Sequence, residues 1–177
     1  MASRLFINNA SVLNAINKLG QDLTDHYRNL VSEESPLFVI VIAHGAIKFY
    51  AELCTSLLLP MNLGLACTRG QWDDVYGVRT VEFLDFKLES LARRHVLVVE
   101  DICDSGRTLK ILVDTLRYEA DAASVKVVTL FRNNMHPDIK FVPDEICFET
   151  DGHYVYGFGM DSEEGLDRNL NAIYYKG

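Results

Sequence analysis

Residues 95–108, read in one-letter code as HVLVVEDICDSGRT, constrain this chain more than any other stretch. Val96, Leu97, Val98 and Val99 are apolar on successive positions, hence on both faces. That pattern predicts a central strand of a parallel sheet, covered by helices on each side. The run stops at two adjacent carboxylates, Glu100 and Asp101. After Ile102 and Cys103 comes a turn of Asp104, Ser105, Gly106, Arg107 and Thr108. Apolar residues then return at Leu109, Ile111, Leu112, Val113, Leu116 and Tyr118, predicting a helix that ends near Glu119. In open α/β sheets the crevice beyond the strand carboxyl ends is where ligands bind.

Each part of this turn has chemistry available to it. The amides of Ser105, Gly106, Arg107 and Thr108 lie at a helix start, where N–H groups without intrahelical acceptors and the positive dipole end favour a phosphate. Gly106 permits close approach of backbone to ligand, and Ser105 and Thr108 add hydroxyl donors. Glu100 and Asp101 are acceptors suited to ribose hydroxyls or a hydrated cation. Asp104 stands between the two functions.

The same logic repeats along the chain. Val12, Ile16, Leu19, Leu23 and Tyr27 step by three or four and predict an amphipathic helix from Ser11 to about Leu30. Residues 37–43 form a second wholly apolar run, a buried strand that ends at His44-Gly45 and leads into a helix from about Ala46 to Leu58. Further strands are expected at 61–68, 80–85, 124–131, 145–149 and 154–158, with Arg132 onwards breaking the fourth buried strand. The intervening stretch 69–79 is polar and punctuated by glycine, with Trp72 and Tyr76 embedded, as in a loop that covers a site. Alternation of strand and helix predicts an α/β fold with a mostly parallel central sheet flanked by helices.

The chain has 177 residues, 49% of them hydrophobic, which suits one domain, 1–177, with a real core. A net charge of −8 argues against non-specific nucleic-acid or anionic-membrane binding. Cys54, Cys67, Cys103 and Cys147 are scattered without metal-finger spacing, which points to free thiols in a reducing compartment. No signal-peptide stretch opens the sequence and no run reaches transmembrane length, so the expected location is cytoplasmic. Neither a Walker-type phosphate loop nor a Gly-x-Gly-x-x-Gly dinucleotide turn is present.

The segment VVEDICDSGRTL resembles the phosphoribosyl pyrophosphate (PRPP) signature of type I phosphoribosyltransferases. Its Glu-Asp-Ile-x-Asp-Ser-Gly form is most similar to the hypoxanthine-guanine branch. The resemblance spans roughly Leu37 to the C-terminus and implies the type I phosphoribosyltransferase fold, with a small hood formed by the terminal segments. It implies transfer of phosphoribosyl from PRPP to a purine, Mg²⁺ as cofactor, and a homodimer or homotetramer. In an acidic chain, helix dipoles, a few Arg and Lys and Mg²⁺ must neutralise the substrate's phosphates.

By the same resemblance, Glu100 and Asp101 hold the ribose hydroxyls and the metal side, residues 104–108 hold the ribose phosphate, and Asp104 is the general base. Ala43, His44 and Gly45 match a pyrophosphate turn that carries a non-proline cis peptide in the family, although His44 and Ala46 replace its usual residues. The segment from His153 to Asp161 resembles the purine-holding segment. It implies Tyr154 for stacking, Val155 for backbone contacts and Asp161 for the metal. Arg168 matches an arginine near pyrophosphate, one residue further along. Where the family places a Lys that donates to the base, this chain has Asn133 with Arg132 beside it. Arg69, Trp72 and Tyr76 stand in a lid lacking the family's Ser-Tyr pair. The resemblance implies a 6-oxopurine, hypoxanthine or guanine, as the base, with xanthine, adenine or a pyrimidine as the alternative. A non-catalytic PRPP-sensing regulator is the other alternative.

Overall fold

The computed structural model describes residues 3–69, 80–136 and 138–176, with the backbone alone described at 69 and 80. Strand β1 (Ser3–Ile7) leads into helix α1 (Asn9–Tyr27), whose first turn is capped by the Asn8 side chain accepting from Ser11 N–H at 2.9 Å. Then follow β2 (Leu37–Ala43), α2 (Ala46–Ser56), β3 (Met61–Arg69), β4 (Thr80–Phe83), a 3₁₀ turn (Leu88–Leu91) and β5 (His95–Cys103). Helix α3 (Arg107–Tyr118), β6 (Ser124–Asn133), β7 (Glu145–Thr150), β8 (Val155–Tyr156) and β9 (Ile173–Lys176) complete the order.

Six strands form the main sheet in the order β4-β3-β2-β5-β6-β7. All neighbours are parallel except β4, which runs antiparallel to β3. The two wholly apolar runs, β2 and β5, lie side by side at its centre because each must bury both faces. Successive residues accordingly feed two different cores. Val39, Val41, Leu97 and Val99 pack with α1 and α2, while Phe38, Ile40, Val96 and Val98 pack with α3.

β5 is longer than the apolar run predicts. It continues through Glu100 and Asp101 to Cys103, with Glu100 in register with Thr129 and Cys103 with Arg132. Backbone pairing with β6 does not depend on side-chain polarity, so the acidic pair sits within the strand end rather than after it. β6 likewise extends to Asn133 instead of breaking at Arg132. β8 is only two residues long, because Gly157, Phe158 and Gly159 all have positive φ and turn the chain away.

The terminal segments form a three-stranded antiparallel hood in the order β1-β9-β8. Val155, Phe158, Met160 and Ile173 join the same core as α1 and α2, so the hood shares the body's interior. Among the described residues no helix is long and apolar enough to cross a membrane.

Candidate active site

The carboxyl ends of β2, β3 and β5 open into a cleft of about 740 Å³. Its walls include Ala43, His44 and Gly45 after β2, Thr68 at the end of β3, and the whole run from Glu100 to Leu109. Asp161 and Arg168 close it from the hood side. The structure thus brings together every residue assigned above to PRPP, from segments separated by more than a hundred positions.

Two helices begin on this cleft without a side-chain cap. Gly106 precedes α3 with φ of 74°, and Gly45 precedes α2. Ser105 Oγ accepts only a long 3.4 Å bond from Arg107 N–H. The first-turn amides of both helices therefore direct their partial positive charge to one space, as an anion site requires. Crowding against backbone demands glycine at Gly106, while at Gly45 it is the Asp101 side chain that a substituent would displace. A Cβ on Gly45 would collide with the Asp101 carboxylate, and one on Gly106 would stand 2.5 Å from the Phe141 carbonyl oxygen. The peptide between Ala43 and His44 is cis.

The acidic pair faces this positive potential. Burial and then the adjacent Asp101 carboxylate push Glu100 well above the usual carboxylate range. Asp101 Oδ1 accepts from Ile102 N–H at 2.9 Å, which fixes its plane. Burial, reinforced by Glu100, pushes the Cys103 thiol up to about 11, so it stays protonated at neutral pH and is no thiolate nucleophile. Across the cleft Arg168 donates to Asp161 Oδ2 at 2.6 Å and to the Gly159 carbonyl at 2.8 Å.

The candidates for the base lie beside this cleft rather than in its walls. Tyr154 is 45% exposed and its hydroxyl donates to the Asp161 carbonyl at 3.1 Å. Val155 is buried in β8. Arg132 pairs with Glu149 at 3.7 Å on the neighbouring strand β7. Asn133 instead turns to Asp104, donating from Nδ2 to Oδ1 at 2.8 Å. Trp72 and Tyr76 of the expected lid lie outside the described residues, as does the side chain of Arg69. Thr68 and Cys67 line the cleft without having been singled out. Their place at the carboxyl end of a strand flanking β2 was the available signal.

Among the described residues no three His, Cys, Asp or Glu side chains gather as a closed metal site. Two adjacent carboxylates and a distant third suit Mg²⁺, a hard cation that takes one or two carboxylates and completes its shell with water and substrate phosphates.

A cleft with two anion-seeking helix starts and an acidic pair between them defines a protein built for a phosphorylated, hydroxyl-rich ligand. The chain belongs to the phosphoribosyl transferase domain family, whose model matches residues 8–163. Over 162 residues it is 29% identical to a hypoxanthine-guanine phosphoribosyltransferase of Streptococcus pyogenes, spanning 92% of this chain and 86% of that relative. A Streptococcus thermophilus enzyme of the same name is 28% identical over 96% of this chain and 91% of its own length. A ternary substrates complex of a Trypanosoma cruzi hypoxanthine phosphoribosyltransferase variant superposes with a TM-score of 0.87 at 24% identity, covering 97% of this chain and 93% of that one. The architecture is thus the type I phosphoribosyltransferase fold.

Proposed function

We propose that this protein is a purine-salvage enzyme that transfers phosphoribosyl from PRPP to a 6-oxopurine, hypoxanthine or guanine, releasing pyrophosphate. The proposal takes residues 1–177 as one catalytic domain. The observation that carries it is the convergence of two uncapped helix starts on one cleft floored by Glu100 and Asp101.

The ribose 5-phosphate sits on the amides and hydroxyls of Ser105, Gly106, Arg107 and Thr108. The pyrophosphate lies against Ala43, His44 and Gly45, with Arg168 beside it. Glu100 and Asp101 accept from the ribose hydroxyls. With Asp161 they are the groups that would hold Mg²⁺ and its waters, and the bound cation would neutralise the leaving pyrophosphate. The purine stacks on Tyr154, contacts the Val155 backbone, and has Arg132 and Asn133 along its edge. The bond from the anomeric carbon to the pyrophosphate oxygen breaks as a ring nitrogen of the base forms its bond to that carbon. Asp104 accepts the proton that the purine ring must lose. Closure of the 69–79 segment, with Arg69, Trp72 and Tyr76, would keep water from the oxocarbenium-like centre. We further propose a cytoplasmic enzyme that works as a homodimer or homotetramer, the assembly that the family resemblance implies.

Purified protein with PRPP, Mg²⁺ and a panel of bases should yield nucleoside monophosphate and pyrophosphate with hypoxanthine or guanine. Turnover confined to adenine, xanthine or a pyrimidine would reject the base assignment. RNA binding without turnover on any base would reject the enzymatic reading. Asp104→Asn should keep PRPP binding and lose about 10²- to 10⁴-fold in kcat, the usual worth of a general base.

A further inference from the structure

The connection that leaves β6 at Asn133 straps itself to the turn between β5 and α3. Lys140 N–H donates to the Ser105 carbonyl at 2.7 Å, and Arg107 donates to Asp138 Oδ2 at 2.6 Å. The Phe141 carbonyl closes the space above Gly106. Within this strap two side chains converge on one carboxylate. Asn133 Nδ2 donates to Asp104 Oδ1 at 2.8 Å, and His136 Nε2 lies 3.6 Å from Asp104 Oδ2.

Both partners are themselves oriented by backbone. Met135 N–H donates to Asn133 Oδ1 at 3.0 Å, which settles the amide with its nitrogen towards Asp104. Asp138 N–H donates to His136 Nδ1 at 3.1 Å. That bond requires a lone pair on Nδ1, so the proton of the neutral ring is on Nε2, the atom facing Asp104. Each carboxylate oxygen has two lone-pair directions, so the Asn133 bond to Oδ1, with the His136 ring at ion-pair rather than hydrogen-bond distance from Oδ2, leaves others facing the cleft.

We propose that Asn133 and His136 are positioning residues that hold the Asp104 carboxylate in the plane from which it takes the purine's proton. The inference rests on the reading of Asp104 as the proton acceptor. Asp104 is half-exposed at the head of a turn and can rotate about two side-chain torsions. A carboxylate left free to do so spends part of its time out of line with the base, and a small misplacement of a reacting group is costly. The donors come from a different strand end than the acid they steer. The strap therefore makes the proton acceptor's aim a property of the β5–β6 pairing rather than of the turn alone.

The test is a set of steady-state measurements on the whole protein with PRPP, Mg²⁺ and its preferred purine. His136→Ala and Asn133→Ala should each lower kcat by about tenfold while changing the KM for PRPP by less than about twofold. His136→Gln, which retains an N–H donor, should recover most of the loss. In the Asp104→Asn background, His136→Ala should cost nothing further, because the group it steers is already gone. An unchanged kcat in both alanine variants overturns the proposal. Losses that persist undiminished in the Asp104→Asn background, with KM for PRPP rising in step, also overturn it, since they mark a scaffold role. The Asp104→Asn single variant separates the two failures. If it turns over at the parent rate, the base assignment itself falls and the strap with it. If it is crippled while the alanine variants are not, only the strap is wrong.

Discussion

Glu100 shows how far this site is built for its ligand rather than for the free protein. Its carboxyl is held above the ordinary value of 4.5 by burial and then by the neighbouring Asp101, so the folded chain holds its proton more tightly than the unfolded chain does. The sign of the linkage follows. The contribution of this group to stability is fully present below 4.5 and is lost as pH rises towards the raised folded value, because ionisation there costs the native state. Glu100→Gln should remove that decline. In urea melts of the ligand-free protein the variant should match the parent near pH 4.5 and exceed it at pH 8, the difference levelling off above the folded value. The same variant loses the acceptor proposed for the ribose and should show a smaller thermal shift with purine monophosphate. A variant that is no more stable than the parent at pH 8 would mean that the acidic pair carries no such burden.

Helix α3 holds its amino-terminal turn on the cleft because its flank is anchored. Leu109, Leu112, Val113 and Leu116 are buried against β5, β6 and the 3₁₀ turn in the second core. Leu112 is fully buried, so Leu112→Ala should cost about 2–5 kcal/mol in chemical denaturation. Because α3 begins at the phosphate turn, affinity for a nucleotide should fall as well; loss of stability with unchanged affinity would show the turn to be held by the strap alone. The elements that set this geometry differ in how plainly they read from sequence. β2 was legible to the residue, since a strand buried on both faces must be apolar throughout. α3 was legible from its spacing. The ends of β5 and β6 were not, because backbone pairing carries a strand past the point where its side chains turn polar. β1 and β9 escaped as strands for a related reason: most of β1 is exposed, and neither alternates cleanly. The residues of the motif, Glu100 to Thr108, do line the cleft as one run. Asn133 was legible only as a candidate base contact and His136 not at all, because their approach to Asp104 joins segments 29 and 32 residues apart that no local pattern encodes.

At the scale of the whole molecule the question is how the hood keeps register with the sheet, since the proposed base-holding residues belong to one and the phosphate turns to the other. The shared core fixes them broadly, through Val155, Phe158 and Ile173 packing with α1 and α2. The fine adjustment falls to Lys48, one turn into α2 beyond the Gly45 turn. Its ammonium donates to the Leu170 carbonyl at 2.9 Å and to Asn171 Oδ1 at 2.8 Å, and lies 5.0 Å from the centre of the Phe158 ring. Burial lowers its proton affinity, and Glu52 opposes that only in part. Gly159 packs so closely on the Gly45 carbonyl that no side chain fits between them. Lys48 therefore links the pyrophosphate turn to the segment carrying Arg168 and, through Arg168 and Asp161, to Tyr154. Lys48→Met keeps the aliphatic stem over Phe158 and removes only the donors. One of these bonds is exposed and the other only part-buried, so they are worth well under the value of a buried charge-assisted bond; a loss of about 1.4 kcal/mol in holding the base segment should raise the KM for purine about tenfold. The KM for PRPP should move less, because the 104–108 turn is anchored separately by the strap. If instead the two constants rise together, the hood and the sheet respond as one body and Lys48 is merely part of its stability. If neither moves, the shared apolar core alone sets the register between the two halves of the site.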